Sequence, residues 1–486
     1  MKAEKKNSFL NDFFTLGAGT FLYLVVGVIG TPIITRLVDP VDYGRMSMIT
    51  VYSGIGVLVC GLGLDQTLAR FFYRDESVDF KRKLLQFCCS VPLLFAAVLS
   101  VLLFVFRYVS SFFGLEMISL TELVLIILNT IAQLLHRYGM LILRLRYSTK
   151  MHSVVNILQK ASYIILTVVL VCSTSVDHFL ILAVSTIFSG FFAFFIEAGH
   201  ERDLWRPAPG NFKLSVSKGE LLKYSIPLMF SGGISMIFNS LDRLFINRYC
   251  TLADVGVYAS AINLMAVFSV IKTSFNALWM PSAVKHYENN PEDKKFYQQG
   301  NAFISVLMIV FGAAVVLFKD LFVLLLGAEY HEASKIIPFL MFEPIMYTVS
   351  ETTATGIVVQ KKSAYQLAVS AISCLLNLLG NWLLTPVLGP QGAAISTGIS
   401  YIVFFAIRTY FANKVFYVDY KLSRFAVSTA ALLLYSAYGS SHSFSLVQVA
   451  MFLGVTAVTV LAYREYIPFA INYGKSMVLK LLKKKK

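Results

Sequence analysis

Lys160 and Lys272 stand inside long apolar runs, where an ammonium group is costly and is kept only beside partners or water. Each belongs to a polar row. Asn156, Lys160, Tyr163 and Thr167 form one; Ser269, Lys272, Thr273 and Asn276 form a second; Gln366, Ser370, Ser373, Asn377 and Asn381 form a third. Offsets of three or four residues place each row on one helix face. Hydrocarbon cannot satisfy such a face, so it must meet other helices or water. Two readings follow. Either the rows wall a hydrated cavity whose lysines hold an anion, or they bond helix to helix while the lysine stems reach the interface. Both lysines lie about 12 Å of helix from the basic side of the membrane, at ~1.5 Å per residue.

Other charges extend this inventory. Asp65, Gln66 and Arg70 stand toward one end of an apolar run and suit the entry of a charged headgroup. Glu343 and Glu351 lie in the tenth expected helix, beside Pro344; they could carry a proton or sodium ion for coupling, or simply bond neighbouring helices. Asp242 and Arg243 are adjacent and can neutralise each other's charge locally. The seven histidines are scattered, and the six cysteines show no spacing of a metal site. DxD, HExxH and Walker A motifs are absent. No metal, cofactor or catalytic residue is expected, and the sequence favours transport over a membrane polymerase.

The elements holding these residues are helices in a bilayer. Of 486 residues 57% are hydrophobic and 14% charged, against about 25% charged in soluble domains. A spanning helix needs about 20 apolar residues. That rule predicts fourteen, near 14–35, 46–68, 84–106, 118–139, 151–172, 176–197, 222–246, 255–279, 299–318, 334–357, 364–386, 391–412, 423–439 and 444–463. The first run follows a basic stretch without a cleavage signature and reads as a retained helix. With the N-terminus inside, the inside segments hold 33 Lys or Arg and the outside segments 7. This asymmetry orients both ends to the cytoplasm. It also accounts for the +15 net charge without nucleic acid.

A repeat divides the chain. "ITRLVDPVDYGRM" at Ile34–Met46 and "INRYCTLADVGVY" at Ile246–Tyr258 place Arg36, Asp42 and Gly44 in step with Arg248, Asp254 and Gly256, 212 residues later. Each follows the first helix of a six-helix set, so the two sets form a parallel repeat. The expected organisation is an N-lobe at 1–200, a loop at 201–221, a C-lobe at 222–412, two further helices at 413–463 and a basic tail at 464–486. Within the hairpins, Asp39 with Asp42 and Thr251 with Asp254 fit helix caps. Gly44 and Gly256 suit close helix contact. Arg36 reaches headgroups in this reading, or contacts cargo as it exits. Pro32 in helix one and Pro227 in helix seven weaken corresponding helices and are candidate hinges.

"TPIITRLVDPVDYGRMSM", "GLGLDQTLARFFY", "LLGAEYHEASKIIPFL" and "NWLLTPVLGPQGAAISTGISY" together resemble the Wzx-type oligosaccharide flippases, or polysaccharide biosynthesis proteins. These belong to the multidrug/oligosaccharidyl-lipid/polysaccharide exporter superfamily. The resemblance implies an all-α membrane protein of two six-helix lobes working by alternating access. The implied cargo is a polyprenyl-pyrophosphate-linked oligosaccharide, moved from the inner to the outer leaflet of a bacterial-type cytoplasmic membrane for cell-surface polysaccharide. Membrane lipids and polysaccharide assembly proteins are the implied partners. A cationic cavity would face the pyrophosphate, and Lys160, Lys272, Arg70 and Arg36 match that chemistry. Asn156, Asn276 and Asn377 would bond the sugars. Lipid II flippases and cation-coupled multidrug exporters of the same superfamily are the rival readings.

Overall fold

The computed structural model describes residues 19, 22–23, 25–112, 119–209 and 214–466, without the side chains of 109–112, 231, 267, 269–270 and 363. The basic N-terminus, most of the 464–486 tail and the Ser269 side chain of the second polar row therefore lie outside the described residues. The described secondary structure is all helical.

Eight described helices are long and apolar enough to cross a membrane. They are α2 (Pro40–Gly61), α4 (Val78–Phe112), α5 (Leu120–Leu145), α6 (Thr149–Ser173), α7 (His178–His200), α9 (Lys218–Tyr249), α12 (Lys294–Val323) and α16 (Ser363–Val415). Shorter apolar helices include α1 (Val25–Leu37), α10 (Leu252–Met265) and α18 (Leu446–Ala462). Apolar side chains stand open along them, with Leu94 67%, Val101 61% and Val387 80% exposed. So much apolar surface needs lipid as solvent, and the protein is a multi-pass integral membrane protein.

The helix starts follow from local chemistry. Asp39 Oδ1 accepts the Asp42 backbone N–H at 3.0 Å, and Pro40 occupies the first helical position, where a missing N–H costs little. Thr251 and Asp254 form a reciprocal box: the Asp254 N–H donates to Thr251 Oγ1 at 3.2 Å and the Thr251 N–H to Asp254 Oδ2 at 2.9 Å. Ser119 with Glu122 does the same for α5. The two hairpins also touch. A Cβ on Gly44 would overlap the Leu252 carbonyl oxygen, and one on Gly256 would overlap that of Pro40. Leu252 and Gly256 stand 212 residues after Pro40 and Gly44, so the contact is reciprocal between equivalent positions.

The chain forms two compact units, Met1–Ala259 and Ser260–Lys486. In the first, Ile34, Val38, Met46, Ile49, Leu125, Phe179 and Leu182 make one core between α1, α2, α5 and α7. Leu64 and Leu68 of α3 (Leu64–Phe71) make another with Phe80, Leu84, Tyr138 and Leu221. In the second, Trp279, Tyr297, Phe416 and Tyr420 pack together.

Several expected helices differ in detail. The run expected at 334–357 is three pieces, α13 (Ala333–Leu340), α14 (Phe342–Thr353) and α15 (Thr355–Val359). Pro344 has no N–H to give Leu340, so the ladder breaks there. The run expected at 255–279 passes through a short 3₁₀ turn, Ala266–Phe268, into α11 (Ser269–Asn289). The two runs expected at 364–386 and 391–412 are continuous as α16 except at Gly389, whose φ of 59° and ψ of −142° are not helical. Only glycine tolerates that backbone well. α17 (Leu422–Ser441) and α18 follow it in the chain.

Candidate functional site: polar cavities in the first unit and a charge cluster in the second

Helix α5 carries the first site. Its apolar run continues past Gly139 to Leu145, which puts His136, Arg137 and Arg144 on the helix itself. They face α3, α6 and α7. Arg137 donates through Nη2 at 2.7 Å and Nε at 3.1 Å to Asp65 Oδ2, which also accepts from Gln66 Nε2 at 3.0 Å. His136 Nδ1 lies 2.7 Å from Glu197 Oε1. Glu197 is fully buried on α7, packed where a Cβ on Gly139 would collide with it.

Three cavities open beside these groups. One of about 400 Å³ is lined by Asp65, Gln66, His136, Arg137, Arg144, His152 and Asn156, among others. A second, about 420 Å³, meets Tyr23, Asn129, Gln133, His136, Arg137 and Gln159. A third, about 260 Å³, meets Asp65, Gln66 and Arg137 again, with Tyr138 and Met229. Arg137 lines all three. Guanidinium groups and amides together suit an anion carrying hydroxyl groups: the cations take the phosphate oxygens and the amides bond the hydroxyls.

Just beyond the last turn of α5, Arg146 Nη1 donates to Glu201 Oε2 and Asp203 Oδ2, both at 2.8 Å. Burial works against its charge, but these hydrogen bonds and neighbouring carboxylates outweigh it and hold its pKa above the ordinary value. This cluster ties the α5–α6 connection to the end of α7.

The second unit holds the other site. Lys272 Nζ on α11 lies 3.3 Å from Glu343 Oε1 and 3.9 Å from the Tyr347 ring centre. Arg408 on α16 reaches Glu351 Oε1 at 2.9 Å and Ser350 Oγ at 2.7 Å through Nη1, and Gln366 Oε1 at 3.1 Å through Nε. Its Cζ is 5.5 Å from the same Tyr347 ring. Glu343, Tyr347 and Glu351 recur every four residues on α14, so one helix face presents carboxylate, ring and carboxylate to two cations.

The expected residues distribute unevenly over these sites. Asn156 lines two of the cavities, and its amide donates to the His152 carbonyl at 3.1 Å. Lys160, one turn on, does not line them; it reaches toward Gly27 and lies 5.5 Å from the Tyr163 ring. Among the described residues no carboxylate pairs with it. Arg70 and Arg36 are exposed and line none of the three cavities. Asn276 is half-buried on α11. Asn377 is fully buried and donates to Thr397 Oγ1 at 2.8 Å, bonding the two arms of α16 across Gly389. Asp242 is buried and accepts from the Tyr258 hydroxyl, while Arg243 Nη2 donates to the Asn239 carbonyl at 3.4 Å. Pro32 and Pro227 both lie within helices, α1 and α9. Asp39, Asp42 and His178 bring ligand atoms within 4.8 Å of one another. However, Asp39 is engaged as a cap, and Arg45 lies 3.7 Å from Asp42 and supplies the positive charge there.

Sequence reasoning passed over His136, Arg137, Arg144, His152, Glu197 and Arg408. The signal was present in "HRYGMLILRLR", where apolar periodicity continues between the charges. Ending the helix at Gly139 turned Arg144 into a flanking charge.

A bundle of apolar helices enclosing buried charge and polar cavities defines a membrane transporter fold. Solved structures share it. The lipid II flippase MurJ in an inward closed conformation matches with a TM-score of 0.68 at 14% identity, over 93% of this chain and 99% of that one. An inward-facing multidrug resistance MATE family transporter of the MOP superfamily matches with a TM-score of 0.62 at 14% identity, over 80% and 94%. Residues 33–335, more than half of the chain, match the family model described as polysaccharide biosynthesis protein, and the chain belongs to that family. A probable low-salt glycan biosynthesis flippase, Agl15 of Haloferax volcanii, is 21% identical over 227 residues. That match spans 46% of this chain and 48% of the relative, so the chain spans about half the length of that curated protein.

Proposed function

We propose that the protein is a flippase that carries a lipid-linked glycan across the membrane by alternating access, and not a membrane polymerase. The observation that carries this reading is the group of cavities around Arg137, where cations and amides converge inside an otherwise apolar bundle. A pyrophosphate cannot cross hydrocarbon bare, and its sugars need hydrogen-bond partners. The cavities offer both while a lipid tail stays in the bilayer. Family membership and the glycan flippase relative support the same class of cargo.

In the finer reading the cargo is a polyprenyl-pyrophosphate-linked oligosaccharide, moved from inner to outer leaflet of a bacterial-type cytoplasmic membrane. The chain has fourteen helices, two six-helix lobes with two helices appended, and both ends on the cytoplasmic side. Lys160, Lys272, Arg70 and Arg36 act on the headgroup along its path, with Asn276 and Asn377 beside them. Glu343 and Glu351 balance Lys272 and Arg408, and the proline-bearing helices at Pro32 and Pro227 bend. Lipid II is a second cargo, favoured by the extent of the fold match to its flippase. A cation-coupled drug exporter shares the fold but has less use for an arginine at every cavity wall.

Proteoliposomes loaded in one leaflet with either an undecaprenyl-pyrophosphate oligosaccharide or lipid II test this. The expected result is protein-dependent appearance of one of them at the other leaflet, reduced at least about tenfold by Arg137→Ala, which removes ~1.4 kcal/mol or more of headgroup interaction. Movement of neither lipid would refute the flippase reading. Equal rates for wild type and Arg137→Ala would refute the cavity as the path.

A further inference from the structure

His136 and Glu197 stand apart from the other cavity groups. The Glu197 carboxylate is fully buried, and among the described residues its Oε2 has no hydrogen-bond partner. Among those residues Oε1 meets His136, at 2.7 Å. The imidazole in turn lines two of the three cavities and retains 16% exposure. Its Nε2 has no protein partner among the described residues. A carboxylate only accepts, so His136 Nδ1 carries the donated hydrogen and Nε2 is left as the basic nitrogen. The dyad thus meets cavity water through one imidazole face.

We infer that His136 and Glu197 form a proton site whose occupancy admits an anionic headgroup to the cavity. With Nε2 bare, the pair carries one net negative charge beside Arg137 and Arg144. One proton taken from cavity water makes it neutral, whichever of the two side chains the second hydrogen favours. The groups facing it from the surrounding elements are Tyr23, Asp65 of α3, Arg137 and Arg144 of α5, and His152 of α6. Asp65 is already committed to Arg137, so the dyad decides whether the cavity's cations face an unneutralised carboxylate. Protonation releases those cations to the cargo, and by reciprocity the bound anion holds the proton. This inference rests on the anionic-cargo reading above; the dyad's own titration does not.

The experiment uses the full chain in nanodiscs, with histidines labelled by ¹⁵N. The His136 resonance is assigned by its loss in His136→Asn. In the ligand-free protein it responds to pH, and Glu197→Gln, which takes the carboxylate from Nδ1, changes that response. Undecaprenyl-pyrophosphoryl-N-acetylglucosamine is then added; its diester phosphates do not titrate between about pH 5.5 and 8.5. Wild-type affinity weakens about tenfold per pH unit above the titration point, the signature of one linked proton. The slope flattens in Glu197→Gln and in His136→Asn. An apo titration unmoved by Glu197→Gln overturns the proton site. Binding with a pH-independent affinity overturns its link to cargo. No binding at any pH, with the apo titration intact, overturns the anionic-cargo reading and the linkage together, and leaves the proton site standing.

Discussion

Glu351→Ala tests whether the charge cluster of the second unit is a closed set. Glu351 and Arg408 retain 3% and 6% side-chain exposure, and their N–O distance is 2.9 Å. Removing the carboxylate leaves the guanidinium with two neutral acceptors, Ser350 Oγ at 2.7 Å and Gln366 Oε1 at 3.1 Å. Breaking a buried pair from one side costs about 3–5 kcal/mol, mostly because the surviving charge stays buried. That corresponds to roughly two to almost four orders of magnitude in the folded-to-unfolded ratio. Removing both charges with shape kept, as in Glu351→Leu with Arg408→Met, restores most of it. Ser350 and Gln366 lose a partner in that double variant, at about 1 kcal/mol each. Reversible unfolding in mixed micelles, followed by tryptophan fluorescence, measures all three proteins. A single variant within about 1 kcal/mol of wild type would refute the argument. So would a double variant no better than the single, since the cost would then not be a stranded charge.

Three further outcomes are expected. Gly256→Ala forces a methyl group onto the Pro40 carbonyl, where backbone on both sides must move, and costs about 1–3 kcal/mol in the same assay. Thr251→Ala removes one arm of the α10 capping box and lowers stability by about 0.5–2 kcal/mol, while Thr251→Ser restores it. Cysteine labelling of intact cells from outside reaches introduced cysteines at Asp42, Asp254 and Gly389 but not at Arg74 or Lys218; external labelling at Lys218 would reject the proposed orientation.

What could be read from the sequence was local. The caps at Asp39 and Thr251 depend on residues three apart, so spacing alone located them. Gly44 and Gly256 were found because a repeat announced them, and their contact needs only that equivalent hairpins meet. Glu351 is visible as an intramembrane acid, but its partner Arg408 is 57 residues away on another helix, near the end of an apolar run where it reads as a flanking charge. Arg144 reads the same way. Hydropathy averages over a turn or two and cannot distinguish a charge beyond a helix from one on its inward face. The row of Asn377 leaves cavity wall and helix-to-helix bonding both open in the sequence, and its amide bonds the second arm of the same bent helix.

The glycine contact between the hairpins has the form of a two-fold dimer interface, in which position i of one subunit touches j of the other and j touches i. Here both copies lie on one polypeptide. A two-fold dimer meeting through one such glycine suffers every substitution there twice, once on each side of the axis. On a single chain that doubling is absent, because Gly44 and Gly256 are separate codons. Each can change alone, and the two sides of the axis become free to diverge in charge. The chain shows such divergence beside the contact itself: Asp39 caps one hairpin where Thr251 caps the other, and Arg45 stands where the second copy has Val257.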